Sequence, residues 1–83
     1  MKIRDNRAGN RFETDVDQVT ACLDYENSSE SLIILQTDVP EALAGRGVGS
    51  ALVSHACDVA RAENLKLVSH CSFAIAWIKK NMK

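Results

Sequence analysis

Three of the four glycines in the 83-residue chain lie close together, at Gly45, Gly47 and Gly49. They stand in the run LAGRGVGSALV, just ahead of a stretch whose apolar residues recur at helical spacing. A loop entering a helix exposes unpaired backbone N–H groups, and the helix dipole adds positive potential there. Glycine has no Cβ to hold an anion away from these donors. The run therefore predicts a phosphate-binding loop, with a purely structural strand-to-helix connection as the alternative.

The surrounding residues narrow the kind of phosphate ligand. The run lacks the Lys-Ser/Thr ending of an ATP-binding loop, and it follows the third predicted strand, whereas a dinucleotide fingerprint follows the first. Nucleoside triphosphates and NAD are therefore poor fits. Ligands of open α/β sheets bind outside the carboxyl ends of the strands, which is where this loop is predicted to lie.

A second reactive group is the thiol of Cys71, which follows the last predicted strand and precedes the last predicted helix. A thiol at a helix N-terminus tends to have a lowered pKa, and the thiolate is the nucleophilic form. The alternative role for Cys71 is that of a small buried apolar residue. Cys22 and Cys57 have no such setting; we assign Cys22 to packing or a sheet edge and place Cys57 away from the centre of its helix's apolar stripe.

Three strands are expected ahead of the glycine run. Apolar or small side chains alternate in RFETDV and again in QVTACLDY, and this period of two predicts antiparallel strands with one face on a core. The stretch SLIILQTDV is apolar enough to predict a third strand, buried on both faces. Pro40 cannot donate a ladder hydrogen bond and ends it. The result is a three-stranded antiparallel meander.

A strand–helix–strand crossover completes the predicted α+β fold. Apolar spacing predicts a helix from Val48 to about Glu63, with Asn64 as a left-handed C-cap. LKLVS predicts a fourth strand, parallel to the third, so Cys71 and the end of the third strand reach the same edge of the sheet. SFAIAWIKKNMK predicts a short terminal helix; its Phe73 and Trp77 are expected to fill the core and its lysines to be solvated.

The composition and charge limit the classes of protein to which the chain can belong. Hydrophobic residues make up 46% and charged residues 25% of the chain, which predicts one globular domain over residues 1–83. A formal net charge of −1 gives no bias toward nucleic acid or an anionic membrane. No apolar run could span a bilayer or serve as a secretory signal, so we expect a cytoplasmic protein. The three cysteines and two histidines have no metal-ligand spacing, and no metal is expected.

The run QTDVPEALAGRGVGSALV, followed by SHCSF, resembles the small single-domain members of the GNAT acetyltransferase superfamily. The family's Q/R-x-x-G-x-G/A loop, which cradles the pyrophosphate of acetyl-coenzyme A, matches Ala44 to Gly49, with Ala44 departing from the pattern. The resemblance implies a minimal GNAT core, acetyl-coenzyme A as co-substrate, an unidentified amine as acceptor, and Cys71 as the candidate catalytic residue. The coenzyme-binding residues it implies, with backbone donors near Val39 for the oxyanion, are Asp38, Val39, Gly45, Arg46, Gly47, Val48, Gly49 and Ser50.

Two further positions depart from the family pattern and keep three functions open. Gln36 stands where the small members carry a histidine, and an amide is no general base. Ser69 replaces a proline, whereas the cysteine is kept. The hypotheses are an N-acetyltransferase, a noncatalytic module binding coenzyme A or acyl-coenzyme A, and an interaction domain with structural glycines. His55 is assigned to packing or the surface, and His70 could tune its neighbour Cys71. The sequence carries no specific dimer signal.

Overall fold

The structure, a computed structural model, describes residues 2–81. It confirms the α+β class, with a mixed sheet of five strands and two helices. In chain order the elements are β1 (Ile3–Asn6), β2 (Arg11–Val16), β3 (Val19–Asn27), β4 (Ser31–Asp38), a short 3-10 helix (Glu41–Leu43), α1 (Val48–Ala62), β5 (Lys66–Ser69) and α2 (Ser72–Asn81).

The strands lie in the sheet in the same order as in the chain. β1 to β4 pair antiparallel, and β5 pairs parallel to β4. The predicted meander has three strands, whereas the structure has four consecutive antiparallel strands, because β1 precedes the three that were predicted. The charged side chains of β1 give no apolar periodicity by which to predict the strand. In the structure they face charged partners on β2, and Arg4 forms an ion pair of 2.7 Å with Asp15. The Thr14 hydroxyl also donates to the Lys2 carbonyl at 2.7 Å.

The β2–β3 hairpin turns through two residues, Asp17 and Gln18. Their φ angles are 51° and 67°, and Val16 pairs directly with Val19. Two left-handed residues in succession are typical of the type I′ turn, whose twist matches that of antiparallel strands. The turn projects Asp17 beyond the end of the sheet, where it is accessible from the glycine loop.

One face of the sheet carries the core, and both helices pack on it. The alternating residues of β2 and β3 point inward as predicted, and α1 contributes the opposite wall. Ala74 of α2 is fully buried in the same cluster, and Trp77 packs against it, as predicted for Trp77. The buried apolar residues are Phe12, Ala21, Leu23, Tyr25, Leu32, Ile34, Leu43, Val48, Leu52, Val53, Ala56, Cys57, Ala60 and Ala74.

The expectation that β4 is buried on both faces is wrong, because Leu35 is 43% exposed. Gln36 pairs with Asp24 and Ile34 with Tyr25, so Leu35 is an extra residue that forms a β-bulge. Pairing with β5 stops at Ile34, and the second half of β4 continues without that neighbour. Pairing between the two parallel strands therefore ends just before the bulge.

The limits of α1 agree closely with prediction. The helix ends at Ala62, and Asn64 beyond it has a φ of 61°, the left-handed conformation expected of a C-cap. Cys57 lies deeper than predicted: it is only 4% exposed and belongs to the core. Across the described residues, no helix has both the length and the apolar character that crossing a membrane requires.

Candidate functional site

The loop between β4 and α1 is anchored by Leu43 and shaped by glycine. Leu43 is 1% exposed, and its N–H bonds to the Pro40 carbonyl at 2.9 Å in the short 3-10 helix. Beyond it, Gly45 and Gly47 both have a φ of 76°. This left-handed conformation is unfavourable for residues with a Cβ, and glycine adopts it freely. The chain thereby turns sharply into α1, whose N-cap is Gly47.

A row of backbone donors has no partner at this turn. The N–H groups of Gly45 and of residues 47–50 form no hydrogen bond to any of the described residues 2–81, whereas the Ala51 N–H bonds to the Gly47 carbonyl at 3.0 Å. The N-cap has no side-chain acceptor. These amides point out of the first turn of a 15-residue helix, where the dipole adds positive potential. The arrangement can accept an anion such as a phosphate.

These donors face a groove of about 450 Å³. Its walls come from the end of β4, the glycine loop, the first turn of α1 and the start of α2. The lining residues are Thr37, Val39, Leu43, Ala44, Gly45, Gly47, Val48, Gly49, Ser50 and Phe73. The groove therefore lies at the carboxyl end of β4, beyond the point where its pairing with β5 ends.

Gly49 has a different role from the other two glycines. It is helical, and a Cβ placed on it would lie 3.0 Å from Cζ of Phe73 and 3.4 Å from Cγ2 of Val39. Its missing side chain thus lets α1, β4 and α2 meet at one point. The prediction that Phe73 fills the core is wrong, because its ring rests over Gly49 and is 47% exposed on the groove.

Cys71 lies next to the groove wall, immediately before α2. Its Sγ is 3.6 Å from Oγ1 of Thr37, which lines the groove. The backbone on either side is fixed by Ser69, whose Oγ accepts from the Cys71 N–H and donates to the Cys71 carbonyl, both at 3.1 Å. The serine that replaces the family's proline thus orders the turn into α2 through hydrogen bonds.

The three thiols differ in acidity for reasons visible in their surroundings. Burial acts to raise the pKa of Cys71, but hydrogen bonds outweigh it and leave the pKa below its ordinary value; they come from the Ala74 backbone, the Thr37 hydroxyl and the Thr37 and Phe73 backbones. Burial raises the pKa of Cys22, with added repulsion from Asp24. Burial also raises the pKa of Cys57. Cys71 therefore has the largest thiolate fraction, as expected at a helix start.

The groove brings together most of the predicted coenzyme-binding residues and leaves two outside it. Asp38 and Arg46 are exposed and do not line it. Asp38 lies opposite Cys22 on the polar face of the sheet, and the Arg46 guanidinium pairs with Asp17. Sequence analysis missed four lining residues; Thr37 gave no signal, because the bulge at Leu35 shifts the alternation along β4 and brings Thr37 opposite Leu23. The predicted residues that line the groove are Val39, Gly45, Gly47, Val48, Gly49 and Ser50.

The histidines and Gln36 lie away from the groove. The His55 ring packs edge-on against Phe12 with centroids 4.9 Å apart, in agreement with its assignment to packing or the surface. His70 is exposed next to Cys71. Gln36 is exposed opposite Asp24. Over residues 2–81, no group of three or more His, Cys, Asp or Glu side chains is arranged to hold a metal ion.

Fold and groove together define an α+β protein with a row of unpaired backbone N–H groups beyond the carboxyl end of β4 and the thiol of Cys71 beside the groove. The family model described as GCN5-related N-acetyl-transferase matches residues 11–83. The chain therefore belongs to the GCN5-related N-acetyltransferase family, a family of acyltransferases. Of the described strands, only β1 precedes the matched range. No curated protein matches the chain significantly.

Proposed function

We propose that this protein is an N-acetyltransferase that takes acetyl from acetyl-coenzyme A and passes it to an amine. One observation carries the proposal: the groove begins at five unpaired N–H groups and reaches Thr37, which contacts the thiol of Cys71. Phosphates and a reactive carbonyl group would thus be held within one groove. Family membership supports the acyltransferase class.

The loop residues fit a pyrophosphate without a basic side chain. A Cβ on Gly45 or Gly47 would meet no protein atom within 4 Å, so an anion can approach the backbone there. The unpaired N–H groups from Gly47 to Ser50 converge on this space from the helix end. Asp38 and Arg46 belonged to the implied coenzyme-binding set, but their side chains do not line the groove.

The acetyl end of the coenzyme would lie along β4, toward Cys71. Bound acetyl-coenzyme A supplies an activated carbonyl group in its thioester. The Val39 N–H has no partner among the described residues and lies in the groove wall, so it is placed to donate to the oxyanion that forms on attack. Phe73 and Val39 pack against Gly49 in the first turn of α1 and give that part of the groove an apolar wall.

Cys71 is the proposed catalytic residue, and two routes remain open. In the first, its thiolate attacks the carbonyl carbon, the coenzyme thiol leaves with a proton, and the acetyl-cysteine then passes acetyl to the amine. In the second, the amine attacks directly and loses its proton to a base. Gln36 cannot be that base, because a neutral amide does not take up a proton at neutral pH. The first route leaves an acetyl–protein adduct, and the second does not.

Replacing Gly47 with aspartate tests the phosphate-binding loop. The carboxylate adds negative charge where an anion is expected, and we predict at least a tenfold loss of affinity for coenzyme A, which corresponds to about 1.4 kcal/mol. Gly47→Asn is the matched control, since it adds a Cβ at the same left-handed position without charge. Isothermal titration calorimetry measures both, with circular dichroism to check folding. Equal affinities of folded G47D and of the original protein would contradict the proposal.

A noncatalytic module that binds coenzyme A or acyl-coenzyme A is the second candidate. The observation that favours it is Gln36, exposed and unable to act as a base where small family members carry histidine. Single-turnover measurements with [acetyl-¹⁴C]acetyl-coenzyme A and a panel of primary amines distinguish the two functions. Tight binding without transfer of label to protein or amine would favour the binding module.

A further inference from the structure

Arg46 is bound to another part of the protein. Its guanidinium donates to the carboxylate of Asp17, at the tip of the β2–β3 hairpin, at 2.5 Å. The partners lie 29 residues apart in the chain. Their side chains are 48% and 72% exposed, so water reaches both ends of the pair. This ion pair links the glycine loop to the β2–β3 hairpin.

Arg46 lies within the glycine loop itself. It stands between Gly45 and Gly47, the two residues with left-handed backbone, and both of these line the groove. Residues 41–50 contain no other basic side chain. Arginine binds phosphate through a planar fork of donors, and it binds carboxylate with the same fork. Asp17 and a phosphate in the groove are therefore alternative partners for one guanidinium.

We propose that Asp17 is an internal competitor that holds Arg46 away from the groove until a phosphate group of the coenzyme displaces it. The inference rests on the proposed function and adds to it a contact that opposes ligand binding. An exposed ion pair contributes little to stability, whereas a phosphate carries more charge and sits beside the positive end of α1. Ligand binding then breaks the Arg46–Asp17 pair and frees the hairpin tip.

Asp17→Asn tests the competition directly. Asparagine suits the left-handed φ of 51° at this turn at least as well as aspartate, so the hairpin should remain intact. With the competitor neutral, we expect coenzyme A to bind about threefold more tightly, the scale expected for loss of an exposed ion pair. Calorimetric titration with coenzyme A at 50 mM and 300 mM NaCl measures the change, which should shrink in the higher salt.

The matched control is Asp58→Asn, which also removes one negative charge. Asp58 pairs with Arg61 at 3.7 Å and lies about 15 Å along α1 from its start, since each helical residue rises about 1.5 Å. Asp58→Asn should leave the affinity unchanged. Arg46→Ala should weaken binding, and the double variant D17N/R46A should match R46A, because Asp17 acts only through Arg46.

The outcomes separate this inference from the function on which it rests. Coenzyme A binding to the original protein with equal or weaker binding to D17N would overturn the competition alone, and weaker binding would make the pair a brace for the loop. Tighter binding of D17N/R46A than of R46A would also overturn it. If neither the original protein nor D17N binds coenzyme A, both the proposed function and the competition fail.

Discussion

The surroundings of a side chain, more than its type, separate the three cysteines of this protein. Cys57 is enclosed by the core, and Cys22 lies on the polar face of the sheet beside carboxylates that repel a thiolate. Cys71 precedes α2, where backbone N–H groups and the Thr37 hydroxyl can donate to a thiolate. The same side chain thus differs in acidity with its position, and the thiol of Cys71 lies within hydrogen-bond distance of Thr37, which lines the groove.

Alkylation measures this difference at the residue scale. Because the pKa of Cys71 lies below its ordinary value and those of Cys22 and Cys57 lie above theirs, iodoacetamide should modify Cys71 first at pH 7–8. The rate should fall as pH drops through the pKa of Cys71, since the thiolate is lost. Mass spectrometry locates the first label, and acetyl-coenzyme A should protect Cys71.

The variant Cys71→Ala extends the same prediction to function. It should retain coenzyme binding, which depends on backbone donors, and lose most acetyl transfer and any acetyl–protein adduct. Cys22→Ala is the matched control and should keep full transfer. First labelling of Cys22 or Cys57, together with full transfer by C71A, would reduce Cys71 to a packing residue.

Among the elements, β1 depends on contacts that reach across the sheet. The Tyr25 hydroxyl on β3 donates to Oδ1 of Asp5 on β1 at 2.7 Å, passing over β2. The Tyr25 ring stacks on Phe12 of β2 with centroids 4.6 Å apart. Burial and the bond to Asp5 raise the pKa of Tyr25 to about 12. One side chain therefore connects three strands.

Tyr25→Phe removes this hydrogen bond and keeps the ring. We expect the free energy of unfolding to fall by about 1.5 kcal/mol at pH 7, the scale of a hydrogen bond to a charged acceptor. The pKa of an unfolded tyrosine is about 10, so the unfolded chain loses the phenolic proton first, and the stabilisation should be lost as pH rises from about 10 to 12. Urea unfolding across this range should show the two proteins converging.

The comparison of Tyr25→Phe with the original protein isolates this titration, because all other ionisable groups are common to both proteins. A difference in unfolding free energy that stays constant from pH 7 to pH 12 would show that the Tyr25–Asp5 bond does not stabilise β1.

For the whole molecule, apolar periodicity and the turn and cap residues of the sequence predicted six of the eight elements and the parallel direction of β5. The sequence analysis missed β1, because its charged residues give no apolar periodicity and their partners on β2 are known only from the structure. It missed the exposure of Leu35, because a bulge is a property of register between strands. It placed Phe73 in the core, since the contact with Gly49 depends on how α2 meets α1. The glycine loop was predictable because helix starts have a fixed donor geometry.

The strands follow one another in the sheet as they do in the chain, and this order affects how the protein folds. Hairpins β1–β2, β2–β3 and β3–β4 close over short turns, whereas Ser31 of β4 pairs with Lys66 of β5 across the long segment that contains α1. Contacts between distant residues carry the larger loop-closure entropy and form late in folding. β5 makes four register pairs with β4, and β2 makes six with β3.

The groove would thus be completed last and opened first. In native-state hydrogen exchange, the amides of β5 and α2 should exchange ahead of those in β2 and β3. Bound coenzyme A should slow exchange most at the amides of Gly45 and residues 47–50, which have no partner without it, and next in α2, which lines the groove. Uniform protection across all five strands would instead show that the molecule opens as one cooperative unit.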